Sequence, residues 1–383
     1  VVAQKFFVAA DSYSLMAIPF FIIAGAILEK GGVAKRLVDM FNAILGWLPG
    51  GLAIAAFIAS AFFGAISGSS AATVAAIGSI MVPTMIKEGY TERFSLATVA
   101  SAGFLGIIIP PSIPMVIYSM ALGISVTDVF LGGVIPGIML ACGMALYSII
   151  YGIKHKGEIK IHKFSLRNLW LTFKDAIWAL LMPVIILGGI YSGLFTPTEA
   201  AAIAVFYGII VSAFVYRNMG WKDFIHVLSA SASSTASILF LVANAHIFSY
   251  LLSSEQIPQK LAILMTSLTT NPTMIMFLIM IVLLIAGCFL DNAVAVILLT
   301  PIFVNVVQAM NIDICYFGVF LVFVLAIGQV TPPVGLCLFV ACDIGKVSIE
   351  KISREVLPYV GGLIVTAILL VLFPQIVTWL PSL

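Results

Sequence analysis

Two short stretches carry most of the groups that could do chemistry. "GAISGSSAATVAAIG" (Gly64–Gly78) sets Ser67, Ser69, Ser70 and Thr73 among glycines inside a run that is otherwise apolar. "IAGCFLDNAVAVILL" holds Asp291 and Asn292, and Asp291 is the only carboxylate with long apolar runs on both sides. Hydroxyls, carboxylates and backbone carbonyls are hard oxygen ligands, suited to a small cation such as Na⁺. A helix that starts at such a break also turns its partially positive N-terminus toward an anion. A carboxylate at the centre of a bilayer costs about 2.5–3.5 kcal/mol on insertion scales, so Asp291 should have a functional partner. Plainer roles stand beside these. The serines can cap the following helix or let helices pack closely. Asp291 can be the N-cap of a helix starting at Asn292, or a carboxylate that carries a proton.

Two double prolines add further oxygens. Proline has no N–H, so "GIIIPPS" and "GQVTPPV" each leave upstream carbonyls without a helical donor. One expected cation site combines the Gly106, Ile109 and Pro111 carbonyls with Ser67, Ser69 and Ser70. Its mirror combines Gly328, Thr331 and Pro333 with Asp291 and Asn292. Ser70, Thr73, Ser112, Asn292 and Thr331 are the expected substrate contacts between them.

The elements that must position these groups follow from composition. The 383 residues are 62% hydrophobic and 9% charged, with a mean hydropathy of +1.20. That describes an all-α polytopic membrane protein. Several apolar segments are too short to span alone, and they fall at 51–86, 94–123, 273–310 and 314–345. At an offset of 222, Gly106 meets Gly328, Pro110–Pro111 meet Pro332–Pro333, Gly123 meets Gly345, Pro136 meets Pro358, and Ser69–Ser70 meet Asp291–Asn292. Pro83 pairs with Pro301 at 218, about one helical turn out of step. The matches concentrate on Gly and Pro, which punctuate backbone geometry. Each half therefore reads as a re-entrant hairpin of two half-helices followed by a helix broken at a double proline. Gly64 and Gly68 are expected to permit the first hairpin's reversal. Paired interruptions of this kind point to the binding site of a secondary transporter.

Charge sets the orientation. The segment 154–174 is read as a loop and carries Lys154, Lys156, Lys160, Lys163, Arg167 and Lys174, six of the eighteen basic residues, so it belongs in the cytoplasm. Tracing outward puts Arg217 and Lys222 inside, 253–257 outside, and Lys346, Lys351 and Arg354 inside. Tracing backward puts 124–128 outside and Lys87, Arg93, Lys30, Lys35 and Arg36 inside. The first hairpin then opens to the cytoplasm and the second to the opposite side, which makes the repeats inverted.

Other polar residues read more simply. Thr196, Pro197 and Glu199 have the spacing of a capping box at a helix start. Asn244 and His246 fit interhelical hydrogen bonding better than a pathway lining. "EKGGVAKRLVDMFNAILGWLPGG" (Glu29–Gly51) contains an amphipathic stretch suited to the membrane interface. The five cysteines form no CxxC pair and read as packing residues. There is no Walker sequence, metal-spaced His/Cys cluster or Ser–His pair, so an enzyme is not expected. A channel suits two separate hairpin tips less well than alternating access does, and an intramembrane aspartyl protease would need a second deep aspartate.

"LMAIPFFIIAGAIL", "GAISGSSAATVAAIGSIMVP", "GFLGIIIPPSIPMVIYS" with "FLGGVIPG", and "GQVTPPVGLCLFVACDI", in that order, resemble the large membrane subunit of TRAP (tripartite ATP-independent periplasmic) transporters over essentially the whole chain. The resemblance implies an elevator-type, Na⁺-driven importer of an organic acid, such as a C4-dicarboxylate or sialic acid, in the bacterial inner membrane. The implied partners are a small four-helix (Q type) membrane subunit and a soluble (P type) periplasmic binding protein. No nucleic-acid partner is expected, and no cofactor apart from the coupling Na⁺. The transport domain would be 51–123 and 273–345. The scaffold would be 1–50, 124–272 and 346–383. The family usually has a further membrane segment before "LMAIPFF", so the N-terminal scaffold is expected to be incomplete here. A proton-coupled organic anion carrier of the same fold, using Asp291, is the alternative.

Overall fold

In the computed structural model, residues 13–161 and 163–383 are described. The first twelve residues, with which the expected N-terminal scaffold begins, lie outside them. Among the described residues all regular elements are helices, apart from one isolated bridge, Lys156–Ile159. After a 3₁₀ turn at Tyr13–Met16 come α1 (Ala17–Lys30) and α2 (Val33–Leu45), bent by 65° at Gly31–Gly32. The first hairpin is α3 (Gly51–Ser67) and α4 (Ser70–Lys87). The first broken helix is α5 (Glu92–Ala102), α6 (Leu105–Ile108) and α7 (Ile113–Leu122). Then follow α8 (Val126–Lys154), α9 (Leu166–Tyr191), α10 (Pro197–Ile209, continued by a π-helical turn at Ile210–Val215) and α11 (Trp221–Ser254). The second half contains α12 (Ile257–Leu268), the hairpin α13 (Pro272–Phe289) and α14 (Asn292–Ala309), and the broken helix α15 (Ile314–Val330) and α16 (Leu336–Gly345). It ends with α17 (Ile349–Leu372) and a short α18 (Gln375–Thr378). Among the described residues, nine helical segments are long and apolar enough to cross a membrane.

The repeat is longer than the sequence pattern suggests. Helices α2, α3, α4, α5–α7 and α8 recur in order as α12, α13, α14, α15–α16 and α17. The missing expectation was α12, which is short and only moderately apolar. It is the counterpart of the amphipathic α2. The caps recur as well: Ser69 and Asp291 cap the returning arms, while Thr91 and Asp313 cap the broken helices. Each cap oxygen accepts an orphan amide of the first turn, which short polar side chains do best.

The halves are interlocked. The returning arm of each hairpin packs on the second half of the other repeat's broken helix, α4 on α16 and α14 on α7. The first halves of the broken helices form the centre. Every residue of α15 from Tyr316 to Val330 is buried, as is every residue of α5 from Phe94 to Ala102. Phe104 and Phe323 meet edge-to-face with centroids 4.9 Å apart, one ring from each repeat. A helix surrounded on all sides has no polar face, and this explains the apolar run of α15, which only Gln329 near its end interrupts.

Around this centre, α1 packs against α10 and α11, and α9 against α2. Ser212 donates to the Ile27 carbonyl (3.3 Å) and Asn218 to the Gly31 carbonyl (3.1 Å). Lys30 pairs with Asp223 at 3.2 Å. The capping box at the start of α10 is present. The Thr196 amide donates to Glu199 Oε2 (2.8 Å), and the Glu199 amide to Thr196 Oγ1 (3.3 Å).

Three expectations need correction. The basic segment 154–174 is a loop only as far as Ser165, and Arg167 and Lys174 stand on α9. Asn244 does not bond across helices, because its Nδ2 donates to Phe240 O one turn back in α11 (2.7 Å). Gly64 is not part of the hairpin reversal. Only Gly68, with φ +62°, takes the left-handed conformation there; Gly64 is helical and faces Gly106.

Candidate functional site

The first hairpin turns at Gly68–Ser69, where the chain leaves the left-handed region and enters an extended residue. Ser69 Oγ accepts the Ala72 amide (3.4 Å) and caps α4. The Ser69 carbonyl accepts both the Thr73 amide (3.2 Å) and the Thr73 hydroxyl (2.7 Å), and Thr73 Oγ1 lies 3.3 Å from Ser67 Oγ. The Gly68 carbonyl takes the Ile113 amide (3.3 Å). That amide would otherwise serve Ile109 in a continuous helix. The tip of the hairpin is therefore stitched into the break of its own repeat's broken helix.

The second hairpin has the same plan with a different chemistry. Asp291 Oδ1 accepts the Ala293 amide (3.0 Å) and caps α14. Asn292, 2% exposed, donates from Nδ2 to the Val322 carbonyl (3.3 Å) in the buried α15. Its Oδ1 is buried without a hydrogen-bond partner. An orphan acceptor at this depth is costly unless something supplies a donor or a positive charge.

Both tips open onto one small cavity of about 90 Å³. Gly68, Ser69 and Ser70 line it from one side and Asp291, Asn292 and Ala293 from the other. The broken helices contribute Ile107, Ile113, Pro114 and Gln329, and α11 contributes Ile238. Ser70 Oγ donates to Gln329 Oε1 at 2.5 Å, joining the first tip to the second broken helix. The cavity thus presents a carboxylate, two amide side chains, two serine hydroxyls and the N-termini of α4 and α14. These are groups that coordinate a cation and orient an anion.

The expected residues divide into three groups. Ser69, Ser70, Asp291 and Asn292 line the shared cavity. Ser67, Thr73 and Gly106 gather beside the first tip. A side chain on Gly106 would strike the Thr73 hydroxyl and come within 2.8 Å of the Ser69 carbonyl. The others stand apart from the cavity. Ile109 faces a separate apolar pocket, and Ser112 caps α7 by accepting the Met115 amide (3.4 Å). Pro111 offers its carbonyl toward Gly68, within 3.1 Å of where a Cβ there would lie. Thr331 donates to the Ile327 carbonyl one turn back (2.7 Å), the Gly328 carbonyl accepts the Thr331 amide (3.1 Å), and Pro333 is exposed. The tips themselves converge on one shared cavity.

Gln329 and Ile238 were not anticipated. Gln329 did carry a signal, being the lone amide in "VFVLAIGQV" and one turn before the double proline. Its repeat mate Ile107 lines the same cavity. Pro110 and Pro332 remove the amides that would serve Gly106 and Gly328, and Pro111 and Pro333 those for Ile107 and Gln329. Both double prolines have a cis peptide bond.

The close approach of the elements rests on paired glycines. A Cβ on Gly64 would collide with the Gly106 backbone, and one on Gly328 with the backbone at Gly287–Cys288. Each hairpin's first arm therefore crosses its own broken helix glycine on glycine, just beside the tip. Small residues at such crossings let helices approach in a membrane.

An all-helical membrane chain of two interlocked repeats, with hairpin tips meeting at one polar cavity, has the architecture of a secondary transporter. The chain belongs to the family of the DctM component of the tripartite ATP-independent periplasmic transporters, whose model matches residues 1–376. It is 43% identical to the C4-dicarboxylate TRAP transporter large permease protein DctM of Pseudomonas aeruginosa, over 99% of this chain and 89% of that one. It is 36% identical to the 2,3-diketo-L-gulonate TRAP transporter large permease protein YiaN of Escherichia coli, over 98% and 88%. It is 41% identical to the isethionate TRAP transporter permease protein DctMQ of Oleidesulfovibrio alaskensis, over 98% of this chain but only 59% of that longer protein. The fold is also that of the Alcanivorax borkumensis YdaH transporter, with a TM-score of 0.69 at 16% identity, covering 98% of this chain and 87% of that one. The chain is thus a multi-pass inner-membrane permease rather than an enzyme, from a family whose large subunits work with a small membrane subunit and a periplasmic binding protein.

Proposed function

We propose that this chain is the membrane-spanning permease of a Na⁺-driven importer of small organic acids, loaded by a periplasmic binding protein and assembled with a small membrane subunit. The relatives' substrates, C4-dicarboxylates, isethionate and diketogulonate, are small organic anions and suit this reading. The observation that carries it is the single cavity where Ser69 and Ser70 meet Asp291 and Asn292. Na⁺ would draw its oxygens from the Ser69, Ser70 and Asp291 side chains and the Asn292 amide oxygen. A substrate carboxylate would rest against the N-termini of α4 and α14 and the Ser70 and Gln329 side chains. In an elevator mechanism, 51–123 and 273–345 would move together against 14–48, 129–252 and 357–380. The crossed packing of α4 on α16 and α14 on α7 favours one moving body over two.

The test needs no knowledge of the substrate. Thermal unfolding of the purified protein is followed while NaCl replaces choline chloride at constant ionic strength. A ligand specific for the folded state stabilises by about 2.7 kcal/mol at a hundredfold excess over Kd. The expected result is a saturable, Na⁺-specific rise that Asp291→Ala abolishes, with Ser69→Ala and Ser70→Ala displacing it to higher Na⁺. A flat response to Na⁺ combined with a response to pH that needs Asp291 would replace this reading with proton coupling.

A further inference from the structure

A second, larger polar cavity lies at the base of the first hairpin, far from the tips. Its volume is about 510 Å³. Asp39, Asn42 and Trp47 face it from α2 and the turn after it, Thr84 and Glu88 from the end of α4, and Lys163, Ser165 and Asn168 from the basic segment and the start of α9. The apolar part of its wall is Ala43, Leu52 and Phe164. By the distribution of basic residues, this is the cytoplasmic membrane surface, the level at which an amphipathic helix and a tryptophan settle.

The charges are arranged for a ligand with both signs. Asp39 and Glu88 bring two carboxylates to one cavity, and Asn42 Oδ1 is a buried acceptor without a hydrogen-bond partner. Arg36, one turn before Asp39, donates to the Gly32 carbonyl (3.0 Å) and lies 3.6 Å over the Tyr216 ring, while its charge and that of Lys35 still act on the Asp39 carboxylate without a direct ion pair. Several hydroxyls are already committed. Thr84 bonds to Ile80 O (2.7 Å), Thr172 to Asn168 O (3.0 Å), and Ser165 caps the 26-residue α9. What remains is an acceptor side, Asp39 and Asn42, facing a donor side, Lys163 and Asn168 at a helix N-terminus.

We propose that this cavity binds the headgroup of a phospholipid whose phosphate is linked to a primary ammonium, as in phosphatidylethanolamine. The ammonium has three N–H donors for Asp39 and the Asn42 amide oxygen. The phosphate accepts from Lys163, Asn168 and the N-terminus of α9. The apolar wall of Ala43, Leu52 and Phe164 would meet the first carbons of the lipid tails. A quaternary choline group has no N–H to give Asn42, and a purely anionic headgroup or free phosphate meets the carboxylates of Asp39 and Glu88. A lipid held here bridges the hairpin base, α2 and α9 in this conformation.

Native mass spectrometry of the delipidated protein, offered equimolar phosphatidylethanolamine, phosphatidylcholine and phosphatidylglycerol, measures the preference. Soluble phosphoethanolamine separates the headgroup from the chains. The expected result is selective retention of phosphatidylethanolamine, reduced about tenfold in Asp39→Asn and in Lys163→Gln, the loss of one charge-assisted contact. The exposed pair Asp343–Lys346 gives the control, with Asp343→Asn unchanged. Protection by phosphoethanolamine alone would keep the headgroup site and remove the lipid anchoring. Equal retention of all three lipids, or retention indifferent to Asp39 and Lys163 in variants that unfold at the parent temperature, overturns the proposal.

Discussion

Ser70 at the start of α4 donates its hydroxyl proton to the side chain of Gln329 near the end of α15, 259 residues along the chain. This bond crosses from one repeat to the other at the cavity itself, and both residues are buried. It makes the two halves of the site one structure. Ser70→Ala leaves the Gln329 oxygen without this donor and is expected to cost about 1–3 kcal/mol of stability. Replacing both, Ser70→Ala with Gln329→Leu, should cost less than the sum by about 1 kcal/mol in a double-mutant cycle of unfolding. Strict additivity would show that the bond contributes nothing.

The paired glycine crossings are expected to tolerate no added methyl group. Gly64→Ala and Gly328→Ala each place a Cβ against backbone, which cannot swing aside. Overpacking of this kind costs about 1–3 kcal/mol. Gly143, with nothing within 4 Å of its Cβ position, is the comparison, and Gly143→Ala should lose no stability. Thermal unfolding of the three variants in one detergent checks the difference.

Asp291 has a structural task and a proposed ionic one, and two substitutions separate them. Asparagine caps helices about as well as aspartate, whereas alanine costs about 0.5–2 kcal/mol. Asp291→Asn should keep the parent's melting temperature without Na⁺ and lose the Na⁺-dependent rise. Asp291→Ala should lose both. A full Na⁺ response in Asp291→Asn would show that the carboxylate charge is not a ligand.

At the start of α10, Thr196→Ala removes the hydroxyl half of the capping box and should destabilise by about 1 kcal/mol. Thr196→Ser keeps the oxygen and should recover most of that loss. The Na⁺ response should be the same in both, because Thr196 does not line the cavity between the tips. An altered Na⁺ response would tie α10 to the site.

Four of the residues that line the shared cavity were legible because they are conspicuous in a chain of this composition. Ser69, Ser70, Asp291 and Asn292 are polar where the surroundings are not, and they occupy equivalent places in a repeat marked by Gly and Pro. Hairpin ends are likewise readable, since Gly68 at φ +62° and the caps at Ser69 and Asp291 are local requirements of the backbone. Gln329 was passed over for the opposite reason. An amide one turn before a proline break is equally compatible with a membrane-facing or a buried position until its neighbour is known. Helix α12 escaped because it is too short and too weakly apolar to be read as a span, though its partner α2 was read from its amphipathic pattern.

The amino-acid sequence by itself determined the helical class, the membrane setting, the double repeat and the polar residues at its interruptions. Those are consequences of hydropathy, Gly and Pro, which act within a few residues. Tertiary structure alone decided that the two tips share one cavity and that Ile109, Ser112, Thr331 and Pro333 stand outside it. It also decided that Gly64 serves a helix crossing instead of a turn. The physical reason is that a carbonyl freed by a proline is met by whichever donor or neighbour the tertiary fold brings within reach. Which donor reaches it depends on helices hundreds of residues away.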